Sequence, residues 1–391
     1  MYDAIVVGAR AAGSPTATLL ARNGYRVLAM DRATFPSDTL STHVVHARGI
    51  AALTRWGLLD AVVATGCPPI ASYSFDFGAF TIRGRPATVD GADVAYAPRR
   101  TVLDQILVEG ARGAGVEVRE GTNVDRALIE NGHVVGVVAG GKEERARIVI
   151  GADGRNSRVA RSVGAVDYHT KPQLQYGFYT YFGNLPVDGL ENYIRPGRGF
   201  GMAPTNDGLT MVVMGWPYAE AAAFKADVEA NFLATMRAIP SVADRLATAT
   251  REAPFLGGSV RGWLRTPYGP GWALVGDAGH NKDPITAQGI SDAFLDAERC
   301  AAAVHAWLGA DMPYDKVMGA WHAARDAQVL PIYEFTSQLA TLEPPPPEQA
   351  EFLAAVSRSQ PGMDDFASVV AAALSPTEFF ADANVARLLA A

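Results

Sequence analysis

Cysteine is scarce. The 391-residue chain has two, Cys67 and Cys300, far apart in sequence. That excludes a disulfide framework and a thiolate metal cluster, and both residues read as small buried apolar side chains rather than reactive thiols. Positive charge is also in deficit. Lys and Arg number 34 against 41 Asp and Glu, for a formal net charge of -7. No Lys/Arg run offsets that balance, so nucleic acid is excluded as an expected partner. Long apolar runs are missing too. The longest candidate, residues 366–374, reads as a half-length amphipathic helix, too short to cross a bilayer. The chain enters its first strand almost at Met1, which leaves no room for a signal or transit peptide, so a reducing cytoplasm is the expected compartment.

What is present is the composition of an ordinary soluble enzyme, 49% hydrophobic and 19% charged, with a length that suits about two or three domains. The first thirty-two residues carry the strongest local pattern. Asp3-Ala-Ile-Val-Val-Gly8 is an apolar run closed by glycine, as expected of a strand buried on both faces. Residues 9–23 carry helix formers with apolar residues at helical spacing, and Gly24 ends them. Residues 25–30 form a second strand, followed at once by Asp31.

A dinucleotide needs this order: a tight turn aiming backbone N–H groups and a helix N-terminus at a pyrophosphate, then a carboxylate about twenty residues on for the ribose hydroxyls. The turn here is Gly8-Ala-Arg10-Ala-Ala-Gly13, with Arg10 where the middle glycine normally admits the phosphate. Either the loop moves away slightly, or the guanidinium itself pairs with phosphate. A plain βαβ unit with an exposed arginine has the same pattern.

Further along, helical periodicity runs from residue 47 to about 59. Alternating aromatics Tyr73, Phe75 and Phe77, a turn at Gly78 and a partner strand near residues 80–83 predict a small antiparallel excursion. The stretch from Tyr96 to Asp104 is followed by a helix to about Gly113, and residues 115–125, 132–139 and 147–154 predict strands. From 166 to about 265 the β signal dominates, interrupted by one helix over 219–239. Residues 272–277 return to the buried-strand pattern, and 289–308 are helical. Pro344 to Pro347 form a stiff polyproline break, behind which 348–391 read as short amphipathic helices.

Two later stretches carry chemistry. Gly151-Ala-Asp153-Gly154 ends a strand on an acid, with Asn156 or Ser157 placed to cap a following helix. Gly276-Asp277 ends another, leaving a carboxylate at the sheet edge suited to sugar-like hydroxyls. The loop from Pro284 to Gly289 then delivers the N-terminus of a long helix, whose dipole favours a negative charge such as that of a reduced flavin.

These three motifs in this order resemble the group A flavin monooxygenases, the p-hydroxybenzoate hydroxylase-like FAD family, over about residues 1–330. The resemblance implies an α/β fold: an FAD-binding, Rossmann-like domain of glutathione-reductase type with an inserted antiparallel β-sheet substrate domain and a helical C-terminal segment. The expected division is 1–70, 98–164 and 266–330 for the FAD domain, 71–97 and 165–265 for the substrate domain, and 331–391 for the C-terminal helices.

The resemblance also assigns residues. Gly8, Gly13 and Ser14 line the pyrophosphate, Asp31 holds the adenosine ribose, Arg32 lies by the adenine, and Val124 touches adenine through its backbone. Arg100 contacts the cofactor from its helix. Asp153 belongs to the motif tied to FAD and the nicotinamide donor, Gly276 and Asp277 hold the ribityl chain, and Pro284, Gly289, Ile290 and Ser291 border the isoalloxazine. Arg48 reaches the flavin or NAD(P)H phosphates, a solvated helix face being the competing role. His43 and His280 are the proton-transfer candidates near the flavin, although a lone histidine is more often structural. Tyr176, Phe178, Phe200, Met202 and Met214 face the flavin as the substrate pocket, unless they are sheet core.

The implied chemistry is the cofactor's: NAD(P)H reduces FAD, dioxygen adds at flavin C4a, and the hydroperoxide hydroxylates or epoxidises a small, aromatic or secondary-metabolite substrate. The same fold serves other activities. A flavin-dependent halogenase carries a Trp-x-Trp-x-Ile-Pro segment, and the matching stretch here, Gly199-Phe-Gly-Met-Ala-Pro204, lacks it. A reductase of geranylgeranyl-reductase type is not excluded by any residue, and a non-enzymatic FAD sensor is a distant alternative. No metal site is expected, and the oligomeric state is left open.

Overall fold

The computed structural model describes residues 1–310 and 312–390. The run Tyr2–Val7 forms the central strand of an α/β sheet, with nearly every side chain buried because neighbours cover both faces. Five strands run parallel, in the order Trp272–Leu274, Lys142–Gly151, Tyr2–Val7, Val27–Met30 and Glu117–Arg119. The antiparallel pair Val124–Glu130 and His133–Ala139 extends from the N-terminal half of Lys142–Gly151. Strands far apart in sequence thus end side by side. Gly8, Asp31, Ala152 and Val275 all follow the carboxyl edge of this sheet, tied by backbone hydrogen bonds from Gly8 to Met30, Ala152 to Val7 and Val275 to Gly151.

A second sheet stands beside it, with strands Gln175–Gly183, Thr210–Pro217, Arg198–Pro204, Leu190–Arg195, Tyr73–Asp76 and Thr81–Gly84 in spatial order, and the short strand Leu256–Gly258 pairing with Gln175–Gly183. Both of its faces are covered. Helices Ala221–Ala226, Val228–Arg237 and Pro240–Leu246 bury Phe178, Phe200, Met202, Met214 and Trp216 on one side. The C-terminal helices bury Phe75, Tyr179, Tyr181 and Met211 on the other.

Some expected boundaries shift. The single helix over 219–239 is broken, because Asp227 leaves helical geometry and caps the next helix through Ala230 N. The division at 330/331 falls inside one continuous helix, Tyr314–Leu339, which carries Pro331. The C-terminal segment is therefore anchored by a helix that begins on the first sheet's side. Its later helix Gln360–Val370 docks on the edge strand Thr81–Gly84, where Arg85 N and Ala87 N donate to Asp364 and Ser368.

Candidate active site

The turn after the first strand explains its glycines. Gly8 has φ +100°, and a Cβ there would collide with the Ala152 carbonyl; a Cβ on Gly13 would collide with the carbonyl of Gly8. Both positions bring backbone against backbone. The helix Gly13–Arg22 starts with no side-chain cap; Ser14 N donates to Arg10 O and Pro15 has no N–H, so the amides of residues 11–13 are the ones left at the sheet edge. Ser14 is buried and its hydroxyl donates to Ala9 O at 2.7 Å, so it braces the turn. Asp31 accepts from Ala9 N at 2.7 Å and Ala33 N at 2.8 Å, which fixes its carboxylate beside the turn. Arg32 next to it is exposed. Val124 reaches this corner because Thr122 N donates to Asp31 O; its own carbonyl accepts from Arg158 Nη1 at 2.9 Å.

Asp153 caps the helix Arg158–Ser162 through the backbone N–H of Arg158 at 2.6 Å, while its Oδ1 has no protein partner; burial pushes its carboxyl pKa up. Gly276 has φ +57° and packs on Ala12, and its N–H donates to buried Asp296. Between buried Gly276 and Ala278, Asp277 is exposed, yet protein surrounds it closely enough for desolvation to raise its pKa against the lowering influence of His280, Arg100, Lys282 and Arg155. Such a group lies on the floor of an open groove. Pro284 and Gly289 are also exposed among buried neighbours, so the same groove runs along the loop to the helix Gly289–Ala310.

Several side chains stand elsewhere than expected. Arg10 is held by Asp104 and by Ser37, and Arg100 grips the same Asp104 carboxylate from one helical turn away. Arg48 is buried against Asp292 and Gln288 rather than free for a phosphate. Burial pushes the Asp292 carboxyl up, but Lys282 and Arg48 outweigh it and hold the pKa well below the usual range. His280 is 3.8 Å from Asp292 with Nδ1 unpartnered. His43 is fully buried: its Nδ1–H donates to Ser41 O at 2.9 Å, so Nε2 accepts from the Tyr181 hydroxyl at 2.6 Å. Desolvation lowers the His43 pKa to about 3, so the ring is neutral.

Of the five residues expected on the substrate side, three stand on the other face of the sheet. Side chains alternate along a strand, and Tyr176, Phe178 and Met202 belong to the helix-covered face; Tyr176 and Phe178 pack on Lys225 and Phe224. Phe200 and Met214 border the opposite cavity, yet they too pack in that helix-side cluster. The cavity, about 470 Å³, lies on the other face under the C-terminal helices, with Phe75, Val213, Leu339, Phe366 and Pro344 among its walls. Pro284, Ile285, Thr286 and Ala287, of the loop that follows Asp277, also line it.

That loop is pinned from three sides. His46 Nε2–H donates to Thr286 O at 3.0 Å while its Nδ1 accepts from Tyr73, Thr286 bonds Thr336, and Gln288 Nε2 donates to Val370 O. Burial lowers the His46 pKa to about 4, so it is a neutral fastener. Ser291 takes the His46 N–H, and Ile290 is buried beside it. Sequence reading missed His46, Lys282, Asp292, Asp283 and Gln175. The one local signal was at Asp104, four residues after Arg100 on a helix. Cys67 and Cys300 are free and buried, and among the described residues no group of His, Cys, Asp and Glu is placed to hold a metal.

Glycines that press backbone on backbone, an uncapped helix N-terminus, a fixed carboxylate at Asp31 and an open-floored carboxylate at Asp277 fit the two ends of FAD, and together they define an FAD-dependent oxidoreductase. Residues 1–311 match the family described as FAD binding domain, and the chain belongs to this family, the group A flavin monooxygenases. Digeranylgeranylglycerophospholipid reductase 2 of Methanopyrus kandleri is 31% identical over 310 residues, 74% of this chain and 73% of that protein. Rifampicin monooxygenase of Streptomyces venezuelae is 27% identical over 88% of this chain and 73% of its own. A flavin-dependent brominase, Bmp2, shares the fold with a TM-score of 0.83 at 17% identity, covering 99% of this chain and 97% of the other. No helix among the described residues is long and apolar enough to cross a membrane.

Proposed function

We propose that the protein is an NAD(P)H- and O2-consuming monooxygenase that hydroxylates or epoxidises an apolar, aromatic-type small molecule. The observation that carries this reading is the loop Pro284–Ala287, which walls the apolar cavity and lies between Asp277 and the helix Gly289–Ala310, where the flavin would stand. FAD bound in the groove supplies oxygen activation and transfer. The chain's own residues position it: Gly8, Gly13 and the helix N-terminus take the pyrophosphate, Asp31 the adenosine ribose, and Asp277 the ribityl hydroxyls. The apolar walls exclude water from the substrate. His43 and His280 support this frame from within the protein rather than by touching substrate, since both are buried and neither lines the cavity.

A reductase reading has its own support in the 31% identity to the Methanopyrus kandleri reductase. Oxygen uptake by the holoprotein with NADH or NADPH separates the two. Uptake that rises with an aromatic substrate and yields an oxygenated product supports the monooxygenase. Substrate turnover that proceeds equally well without oxygen overturns it in favour of the reductase.

A further inference from the structure

The floor of the cavity has an unusual construction. Gly258 pairs with Gly177, Gly177 with Gly215, and Gly215 with Gly199, on four adjacent strands. All four glycines line the cavity. A row of four glycines therefore crosses the sheet for about 14 Å, three strand spacings, with the Gln175 amide lying on Gly215 and Leu40 packed on Gly258. Its far end is closed by Ile194, the register partner of Gly199. None of the four glycines has the positive φ that demands glycine. At Gly199 a Cβ would make only ordinary contact, 3.5 Å from Leu342 Cδ2. Glycine weakens a strand interior, so neither turn geometry nor crowding accounts for it at Gly199. What the missing side chains leave is a shallow furrow into which the Gln175 amide, lying on Gly215, and the Leu40 side chain at Gly258 intrude.

Two carboxamides face this floor. Gln175 Nε2 donates to Asp283 and Asn192 Nδ2 donates to Ser74 O at 3.1 Å. Each nitrogen being turned to a protein acceptor, each amide presents its oxygen: Gln175 Oε1 lies over Gly215, and Asn192 Oδ1 is 3.1 Å from where a Cβ of Gly201 would stand. Among the described residues each amide bonds through its nitrogen, and the two oxygens are left open to the cavity. Gly215 and Gly201 are diagonal neighbours on adjacent strands, so the two acceptors stand over neighbouring positions of the same floor.

From this arrangement we infer that the furrow is a specificity-determining bed for a flat, fused-ring compound carrying hydrogen-bond donors such as phenolic hydroxyls, which Gln175 and Asn192 accept. The bed deepens the proposed function and rests on its placement of substrate in this cavity. An apolar chain with no donor would cover both oxygens and leave them unpaired, which is costly.

The test is equilibrium binding to the FAD-loaded protein, read by perturbation of the flavin absorbance. The probes are dihydroxynaphthalene and dihydroxyanthraquinone, each against its dimethyl ether. The diphenols are expected to bind about tenfold or more tightly than the ethers, the scale of one hydrogen bond to an otherwise unpaired group. Gln175→Leu and Asn192→Leu should each shrink that preference. Gly199→Val should abolish binding of both probe types while leaving the melting temperature and the flavin content unchanged, since valine suits a strand. Equal binding of diphenol and ether, no binding of either, or undiminished binding to Gly199→Val overturns the bed. Tight diphenol binding without any oxygen uptake overturns the monooxygenase reading and leaves the bed standing. Substrate-coupled uptake insensitive to Gly199→Val does the reverse.

Discussion

Arg10 Nη1 lies 2.6 Å from Oδ2 of Asp104, a carboxylate with no solvent exposure that Arg100 also holds. The arginine that interrupts the glycine turn is thus a strut between the turn and the helix Arg100–Gly113. Arg10→Ala and Arg10→Gly should both cost about 1–3 kcal/mol, because each strips one cation from a buried carboxylate. Thermal unfolding and FAD release measured on both variants check this. If Arg10→Gly matches the parent protein while Arg10→Ala alone loses FAD, the guanidinium is not a strut and the turn geometry governs.

Asp277 stands exposed on the groove floor. Removing it should leave the fold intact, and Asp277→Ala should be purified with much less bound flavin than the parent. The check is the visible flavin spectrum after purification, alongside circular dichroism. A variant as yellow as the parent counts against the ribityl placement.

Asp283 beside the loop has its carboxyl pushed up by burial to about 7, from an ordinary 3.8. The folded state then binds more protons than the unfolded one between those values, so this group's contribution makes stability fall as pH rises from about 4 to 7 and level off above. The full effect is roughly 4 kcal/mol at most. Asp283→Asn removes it, so the stability of the variant minus that of the parent should grow over this window. Denaturant unfolding at several pH values reads the difference, and a pH-independent difference would refute the assignment.

His43 and His46 act with the opposite sign. Burial lowers them to about 3 and about 4 from 6.5, so unfolded chains take up protons that the folded protein refuses, and stability is lost as pH falls below 6.5. A neutral substitute, His46→Gln, should flatten that acid limb. A limb of unchanged steepness in the variant would show that other groups cause it.

Tyr181 supplies the hydrogen bond to His43 Nε2. Tyr181→Phe leaves that nitrogen buried and unpaired, at a cost of about 1–3 kcal/mol. Thermal unfolding should register the loss while flavin content stays constant. A drop in flavin content without loss of stability would place Tyr181 at the cofactor instead.

Residues 1–32, Asp153-Gly154 and Gly276-Asp277 were legible before any fold was known, because each is a strand, turn and helix start whose meaning is carried by neighbours in the chain. A parallel sheet then has to bring such strand ends to one edge, which is why three motifs in order implied one groove. The partners of Arg10, Arg48 and His43 lie 94, 244 and 138 residues away, and no local pattern specifies them. The choice of sheet face was equally hidden. Along Gln175–Gly183 both faces are covered by apolar neighbours, so alternation shows no polar side. Only the packing of helices on one face and the cavity on the other turns Tyr176 and Phe178 away from the cavity and leaves Gln175 and Gly177 on it.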